Sequence, residues 1–300
     1  MKHIFHIHTY RCKHASDETD EELVKTALIL GAETISFTDH CPFPGNPFGN
    51  RMDIEQLQEY IDSLKLLREK YRDKIKIKIG LEVEFLPSMM PFYEELHKKE
   101  LSSLIIGQHF YQRSDGTYSF SDDKDFKKAN EHLGCSKAMI EGIKTGLFSV
   151  AAHPDRVFRH CEKWTQEMTD ISNEIIAAAA QNNVILEKNL SSYEKFVNNS
   201  PRNYWRTEFW DLADAYNQSA KNPVQTIIGL DAHSSEEMIQ RAKLELPNFP
   251  LICTRQIHQK MKFPIFKKRP RNASKKPGRV IIQKFKFDAS TAILARLLKD

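Results

Sequence analysis

Residues 2–8 read Lys2-His3-Ile4-Phe5-His6-Ile7-His8, a stretch in which polar and apolar side chains alternate. Alternation with a period of two predicts a β-strand, and it places the side chains of His6 and His8 on one face, about 7 Å apart. Two imidazoles in this arrangement can bind one cation. An isolated His-x-His pair also occurs by chance on surface strands, so the pair predicts a metal site only if the chain repeats the construction.

Short apolar runs that end in potential metal ligands do recur along the chain. These runs end in Thr38-Asp39-His40, Gly80-Leu81-Glu82, Gly107-Gln108-His109, Ala152-His153-Pro154 and Gly229-Leu230-Asp231-Ala232-His233. A further run near residues 184–187 brings the predicted strands to seven, and most of them deliver a ligand at the C-terminal end. With His14 included, seven of the twelve histidines of the chain lie in this set.

Amphipathic patterns typical of helices lie between the predicted strands. They cover residues 20–31, 53–71, 90–99, 124–146, 165–181 and 208–219, and a last helix is expected to start within residues 229–241. Strands that alternate with helices favour a parallel sheet, and ligands collected at strand C-termini are typical of the active face of an α/β barrel. An open doubly wound sheet is the alternative, but it gathers ligands only at its switch point. Contributions from so many strand ends favour the closed barrel.

The PHP superfamily of polymerase-and-histidinol-phosphatase domains has a set of residues that is similar in order and approximate spacing. The resemblance spans about residues 1–240 and rests on His6-Ile7-His8, His14, Thr38-Asp39-His40, Gly80-Leu81-Glu82, His109, Ala152-His153-Pro154 and Asp231-Ala232-His233. The opening, from His6 through Cys12-Lys13-His14 to Glu22 and then residues 35–42, looks most like the histidinol-phosphatase branch. The resemblance implies a distorted seven-stranded (β/α)7 barrel that holds three divalent metals.

Carried over residue by residue, the resemblance implies three groups of metal ligands. The first metal takes His6, His8, Glu82 and Asp231, the second takes Glu82, His109 and His153, and the third takes His14, His40 and His233. Imidazole and carboxylate ligands suit Zn, Mn or Fe, and the sequence does not choose among them. In the mechanism that we expect, a metal-bound hydroxide attacks phosphorus, and Glu82, Asp231, His233 and Asp39 are the candidate catalytic residues.

Other polar residues near these ligands are candidates for supporting roles. Asp39 and Asp155 are expected to orient the ligating rings, although each could instead cap a loop or helix. Arg156 and Arg159 are candidates to bind a substrate phosphate, with a solvated surface arginine as the alternative. After the sixth strand the branch is expected to show an Asn, a Gly and a basic residue. Here Asn189 fits and Lys195 is a candidate for the basic residue, but the glycine is missing.

Composition and charge bear on compartment and domain organisation. The five cysteines are scattered, and Cys12 and Cys41 match no zinc-binding Cys-x-x-Cys spacing, so we expect thiols without a ligand role in a reducing, cytoplasmic protein. No apolar run is long enough for a membrane helix, and no signal peptide is expected. Residues 250–300 hold 14 Lys or Arg against two acidic residues, whereas residues 1–249 hold 30 against 38. We therefore expect a barrel domain at residues 1–250 and a basic extension at residues 251–300.

Two classes of function fit these observations. The first is a phosphomonoesterase with L-histidinol phosphate, or another small phosphate ester, as substrate and a role in histidine biosynthesis. The second is a nucleic-acid phosphodiesterase or exonuclease in which the basic extension binds the strand electrostatically. The extension lacks Trp and Tyr for stacking bases, which favours the first class. A purely structural metal site is disfavoured because such sites are usually rich in thiolates. The oligomeric state is left open.

Overall fold

A computed structural model describes residues 1–121, 131–201 and 203–244 of the chain. Its strands are β1 (His3–Ile7), β2 (Thr34–His40), β3 (Lys76–Val83), β4 (Ser103–Ile106), β5 (Phe110–Gln112), β6 (Tyr118–Phe120), β7 (Val150–Ala151), β8 (Ile185–Asn189) and β9 (Thr226–Gly229). Seven of these strands correspond to the seven that the sequence predicts. The antiparallel pair β5–β6 was not predicted.

The seven strands form one parallel sheet in the order β1-β2-β3-β4-β7-β8-β9. The sheet nearly closes on itself, because the chain just after β9 returns to β1. Ile7 pairs with Ala232 in a parallel bridge. The amide of Leu230 donates to the carbonyl of Phe5 at 2.8 Å, and the amide of His8 donates to the carbonyl of Ala232 at 2.9 Å. The predicted seven-stranded α/β barrel is thus confirmed, and the open sheet is excluded.

Helices surround the sheet on its outer side. They are α1 (Asp20–Ile29), α2 (Leu57–Lys70), α3 (Met90–His97), α4 (Glu131–Lys144), α5 (Gln166–Gln181), α6 (Leu190–Val197), α7 (Thr207–Ser219) and α8 (Ser235–Arg241). Thr19 begins α1 with a capping box to Glu22. Helix α6 was not predicted. It begins directly after β8, where the side chain of Asn189 accepts a hydrogen bond from the amide of Ser192.

Apolar side chains fill the barrel below the strand ends. Phe5 of β1, Ile105 of β4 and Val150 of β7 are buried together with Ala152. Because β1 and β4 are not neighbours in the sheet, these side chains can meet only inside the barrel. A larger cluster packs the outer face of the strands against the helices. The interior is therefore apolar at this level, and polar groups collect beyond it at the C-terminal ends of the strands.

Two parts of the sequence analysis lie outside the described residues. These are residues 124–130 of the predicted fourth helix and the basic extension at residues 251–300. Within the described residues, no helix is both long enough and apolar enough to cross a membrane.

Candidate metal centre

The nine predicted ligands come together at the C-terminal end of the barrel. The ring of His8 lies at the middle of the group, with ring centroids 4.2 Å from His233, 4.5 Å from His40 and 5.0 Å from His6. The ring of His14 lies 4.5 Å from that of His233. Parallel strands produce this convergence, because their C-terminal ends all lie at one end of the barrel.

Glu82, at the end of β3, is the carboxylate around which the imidazoles are arranged. Its Oε1 lies 2.7 Å from Nε2 of His153 and 3.7 Å from Nε2 of His109. Its Oε2 lies 3.0 Å from Nδ1 of His40 and 3.4 Å from Nε2 of His6. Burial alone would raise the pKa of Glu82, but the surrounding imidazoles, chiefly those of His109, His6 and His40, outweigh it and hold the pKa well below 4.5. Glu82 is therefore an ionised carboxylate with both oxygens facing imidazoles.

Asp231 supplies a second carboxylate on the other side of His8. Its Oδ1 lies 3.4 Å from Nε2 of His8 and 3.8 Å from Nδ1 of His233. Burial works to lower the pKa of His8, yet the nearby carboxylates of Asp231 and Asp39 raise it to about 9. The pKa of His40, for which burial dominates, falls to about 3. The cluster thus combines two ionised carboxylates with several neutral imidazoles. Neutral imidazole is the form that binds metals.

Three of the candidate ligands have a left-handed backbone. The φ angles are 67° at His6, 32° at His153 and 48° at Asp231. Residues other than glycine rarely adopt this conformation, and each costs about 1–3 kcal/mol unless the surroundings enforce it. At His6 it accompanies a shift in the register between β1 and β2, between Ile4 and Ile7. The predicted strand is present but irregular between Ile4 and Ile7, and the rings of His6 and His8 lie side by side, with centroids 5.0 Å apart.

Several buried nitrogen and oxygen atoms of the cluster have no hydrogen-bond partner. They are Nε2 of His6, both ring nitrogens of His8, Nδ1 of His40, Oε2 of Glu82 and Nε2 of His233. Burying a polar atom without a partner is costly, and a bound cation would remove that cost. The ligand atoms also fall into groups that lie within 4.8 Å of one another: His6 with His8 and Asp231, His6 with Glu82 and His153, and His14 with His40 and His233. These residues therefore fit divalent metal ions.

Carbonyl and carboxylate groups fix the orientation of the imidazoles from behind. Nδ1 of His6 lies 2.6 Å from Oε1 of Glu187, and Nδ1 of His109 lies 2.9 Å from Oε1 of Glu84. Nδ1 of His14 lies 2.8 Å from the carbonyl oxygen of Cys12. Each contact leaves the Nε2 atom of the same ring directed away from its support, toward the centre of the cluster.

The two acidic residues that were expected to orient ligands have different positions. Asp39 lies next to His8, with Oδ1 3.5 Å from Nδ1 of that ring, and its Oδ2 accepts a hydrogen bond from the hydroxyl of Thr9. Asp155 instead accepts hydrogen bonds from the amide of Arg206 at 3.0 Å and from the indole of Trp210 at 3.3 Å. Burial raises the pKa of Asp155 to about 6. Its carboxylate therefore anchors the start of α7, which was the alternative for this residue.

A model of the PHP domain matches residues 5–191, more than half of the chain. The chain belongs to the PHP domain family. A protein of Deinococcus radiodurans named a probable histidinol-phosphatase is 26% identical over 248 residues, which cover 78% of this chain and 86% of that protein. The histidinol-phosphatase of Bacillus subtilis is 29% identical over 155 residues, or 48% of this chain and 58% of that protein.

The fold of this PHP domain also matches a solved structure. A crystal structure of histidinol phosphate phosphatase from Lactococcus lactis subsp. lactis, complexed with zinc, L-histidinol and phosphate, has a TM-score of 0.61 and 21% identity. The match covers 80% of this chain and 90% of that one. At this level of identity the likeness concerns the fold, and function has to be argued from the site.

Basic side chains that the sequence analysis named for phosphate binding lie beside the metal-ligand cluster. Arg156 is buried, and its guanidinium carbon lies 5.0 Å from the centre of the Tyr204 ring. Lys195 is half-buried, and its Nζ lies 5.7 Å from the centre of the same ring. Burial lowers the pKa of Lys195. The negative charge of Asp231 opposes this effect, and the positive charges of Arg241 and Arg156 add to it. Arg159, also half-buried, contributes to the same positive field.

The cysteines differ in their relation to the cluster. The sulfur of Cys12 lies within 4.8 Å of ligand atoms of His8 and His233, and 4.0 Å from Nε2 of His14. Burial raises the pKa of the Cys12 thiol to about 12. Cys41 donates to the neighbouring carbonyl of Pro42. Cys12 is thus closer to the cluster than its spacing in the sequence indicated.

Four residues that contact the ligands or their supporting carboxylates were not predicted from the sequence. Glu84 directly follows β3 and Glu187 lies in β8, and both carboxylates are fully buried, which is uncommon for Glu. Arg51 forms an ion pair with Glu84 at 2.8 Å and so fixes the carboxylate that supports His109. Tyr204 lies in an irregular segment between α6 and α7, and no pattern in the sequence distinguishes it.

Proposed function

We propose that this PHP domain is a metal-dependent phosphomonoesterase that converts L-histidinol phosphate and water to L-histidinol and phosphate. The observation that carries the proposal is the group of buried imidazoles and carboxylates around Glu82, with the basic side chains of Arg156 and Lys195 beside it. The names of the relatives from Deinococcus radiodurans and Bacillus subtilis support the choice of substrate. So do the ligands of the Lactococcus lactis structure.

We assign the ligands to three divalent ions. One is held by His6, His8, Glu82 and Asp231, one by Glu82, His109 and His153, and one by His14, His40 and His233. Such ions, when bound, lower the pKa of water and neutralise charge on a phosphoryl group. Two observations support the assignment. Several buried nitrogens of these residues have no hydrogen-bond partner. In addition, each of the three sets contains ligand atoms that lie within 4.8 Å of one another or within 3.7 Å of Glu82. Zn, Mn and Fe all fit this set of donors.

The side chains of the protein would contribute position and charge to the reaction. The carboxylates of Glu187 and Glu84 hold two imidazoles in one orientation each. Arg156, Arg159 and Lys195 would bind phosphate oxygens that the metals leave uncovered, because guanidinium and ammonium groups form strong charge-assisted hydrogen bonds with phosphate. Asp39, Asp231 and His233 would act through the ions that they hold or orient. No side chain is required as a nucleophile.

The test is phosphate release from L-histidinol phosphate by the full chain supplied with Zn or Mn. A generic aryl phosphate and single-stranded DNA serve as alternative substrates, with and without chelator. Turnover that chelator abolishes and that is selective for histidinol phosphate is the expected result. Cleavage of DNA in preference to the monoesters would contradict the proposal and favour a phosphodiesterase. A role in histidine biosynthesis and a cytoplasmic location are predictions that follow from the proposed activity.

Two histidine substitutions test the third metal group. His14→Ala and His233→Ala should each reduce turnover at least about 100-fold, because each removes one of three imidazoles from a single ion. His97→Ala is the matched control, since His97 lies on α3 and contacts the carbonyl of Leu147 rather than the cluster. Wild-type rates in both cluster variants would show that this group is not part of the active centre.

A further inference from the structure

Tyr204 connects the metal-ligand cluster to the basic side chains beside it. It belongs to none of the groups of ligand atoms, and it lies between α6 and α7 with only 2% of its surface exposed. Its hydroxyl faces a carboxylate of the cluster, while its ring faces two cations. A tyrosine used only for packing would need neither arrangement.

The hydroxyl of Tyr204 helps to hold one oxygen of Asp231. It lies 3.3 Å from Oδ2 of Asp231 and 3.2 Å from Oδ1 of Asn189. The side-chain amide of Asn189 donates to the same Oδ2 atom at 3.2 Å. The side-chain amide of Asn189 therefore donates to Oδ2, and the Tyr204 hydroxyl, whose one proton is shared with Oδ1 of Asn189, lies beside the same atom. Oδ1 of Asp231 is left to face Nε2 of His8 at 3.4 Å. This arrangement selects one rotamer of a residue whose backbone is already left-handed.

The ring of Tyr204 lies within cation–π distance of two basic side chains. The guanidinium carbon of Arg156 lies 5.0 Å and Nζ of Lys195 lies 5.7 Å from the ring centre. The edge of the ring also meets the ring of His153, with centroids 5.9 Å apart and an interplanar angle of 79°. Because an aromatic face attracts cations through its quadrupole, the ring holds both charges without neutralising them.

Backbone contacts fix the position of Tyr204 itself. Its amide donates to the hydroxyl of Ser192 on α6 at 3.1 Å. Two residues later, the amide of Arg206 donates to Asp155 at 3.0 Å. The segment is therefore tied to two elements of the barrel that also carry residues of the site.

We propose that Tyr204 is a positioning residue that sets the Asp231 carboxylate through its hydroxyl and the Arg156 and Lys195 cations through its ring. This inference rests on the proposed function, in which the metals and the two cations bind the same phosphate group. The two parts of the side chain then have separable effects. The hydroxyl acts on metal binding and the chemical step, and the ring acts on the affinity for phosphate.

Two substitutions separate these effects. Tyr204→Phe keeps the ring and removes the hydroxyl, whereas Tyr204→Leu removes both. Tyr71→Phe is the matched control, because the hydroxyl of the buried Tyr71 donates to the carboxylate of Glu21 at 2.8 Å, away from the cluster. For each full-length protein we would measure kcat, KM, the inhibition constant of inorganic phosphate, zinc affinity and the thermal unfolding midpoint.

We expect Tyr204→Phe to lower kcat and zinc affinity about tenfold, at the lower end of the effect of residues that orient metal ligands. Its KM and its inhibition constant for phosphate should stay within about twofold of wild type. Tyr204→Leu should in addition raise both of these about tenfold, because the cations lose their aromatic contact. Tyr71→Phe should lower only the unfolding midpoint.

Three outcomes would overturn the inference. The first is that Tyr204→Phe and Tyr204→Leu show the same KM and the same inhibition by phosphate. The second is that the zinc affinity of Tyr204→Phe equals that of wild type. The third is that Tyr71→Phe reproduces the kinetic changes. If Tyr204→Leu does not fold, the comparison of kcat, KM and zinc affinity in Tyr204→Phe still decides the role of the hydroxyl. If the wild type hydrolyses no phosphate ester, the proposed function fails, and zinc affinity and direct binding of inorganic phosphate still report on Tyr204.

Discussion

Gly107, directly after β4, is a position at which one added methyl group should disturb the centre directly. A Cβ atom built there would lie 2.6 Å from both Cγ and Cδ of Glu82 and would overlap Oε1. Ordinary contact between such atoms begins at 3.4 Å. In Gly107→Ala the carboxylate of Glu82 would therefore have to move by about 0.8 Å, whereas metal–ligand distances tolerate about 0.2 Å.

The expected cost of Gly107→Ala follows from this displacement. Oε1 of Glu82 lies 2.7 Å from Nε2 of His153 and Oε2 lies 3.0 Å from Nδ1 of His40, so a shift of this size breaks both contacts. A misplacement of about 1 Å typically costs about 100-fold in rate, and overpacking costs about 1–3 kcal/mol in stability. We expect bound zinc to fall in elemental analysis and phosphate release to fall about 100-fold.

Gly134→Ala is the matched steric control for this prediction. Its Cβ atom would lie 2.6 Å from Cε1 of Tyr111 and closer to other atoms of that ring, but Tyr111 belongs to none of the candidate metal groups. The control should lose stability in thermal unfolding and keep its zinc. If Gly107→Ala keeps wild-type zinc content and turnover, or if Gly134→Ala loses both, the reasoning about Glu82 is refuted.

Three further predictions concern the support of the site and of the barrel. Glu187→Gln should weaken zinc binding about 10- to 100-fold in competition titrations, because Glu187 orients His6 at 2.6 Å; unchanged affinity would contradict this role. Arg11→Met should lower the free energy of unfolding by about 3–5 kcal/mol in denaturant titrations, since the substitution leaves the buried Asp20 without its ion pair. A loss under about 1 kcal/mol would show that this ion pair does not stabilise the barrel. Hydrogen bonds, first from Tyr71, lower the pKa of Glu21 from 4.5 to about 2, so its stabilisation is present above pH 4.5 and is lost as pH falls toward 2. Glu21→Gln should therefore cost about 1 kcal/mol at pH 7, after allowance for solvent screening, and less at pH 3.5.

Much of the fold and of the candidate ligand set could be predicted from short stretches of sequence. A strand of a closed parallel barrel ends at the active face, so a ligand type at the end of an apolar run, such as His40 or Glu82, could be placed without knowledge of its neighbours. The same logic places Asp231 and His233 at this end of the barrel. It does not predict the left-handed backbone at His6, because a local change of register has no period in the sequence.

The supporting residues were harder to predict because their partners are distant in the chain. Glu187 and His6 are 181 residues apart, and Glu84 and His109 are 25 apart. Asp155 follows His153 by two residues and Asp39 directly precedes His40, yet of the two only Asp39 contacts a ligating ring, that of His8. Proximity in sequence therefore does not show which carboxylate supports which imidazole.

The sequence by itself determined the seven-stranded barrel and the end of it at which the ligands collect. The pattern of apolar runs and the residue type at the end of each run are local properties, and burial of those runs leaves little choice of architecture. Only the tertiary structure decided how the ligands pair, that Glu82 lies among five imidazoles, and that Tyr204 joins Asp231 to Arg156 and Lys195. These contacts depend on distances of a few ångströms between residues far apart in the chain, and such distances are fixed only when the packed barrel closes.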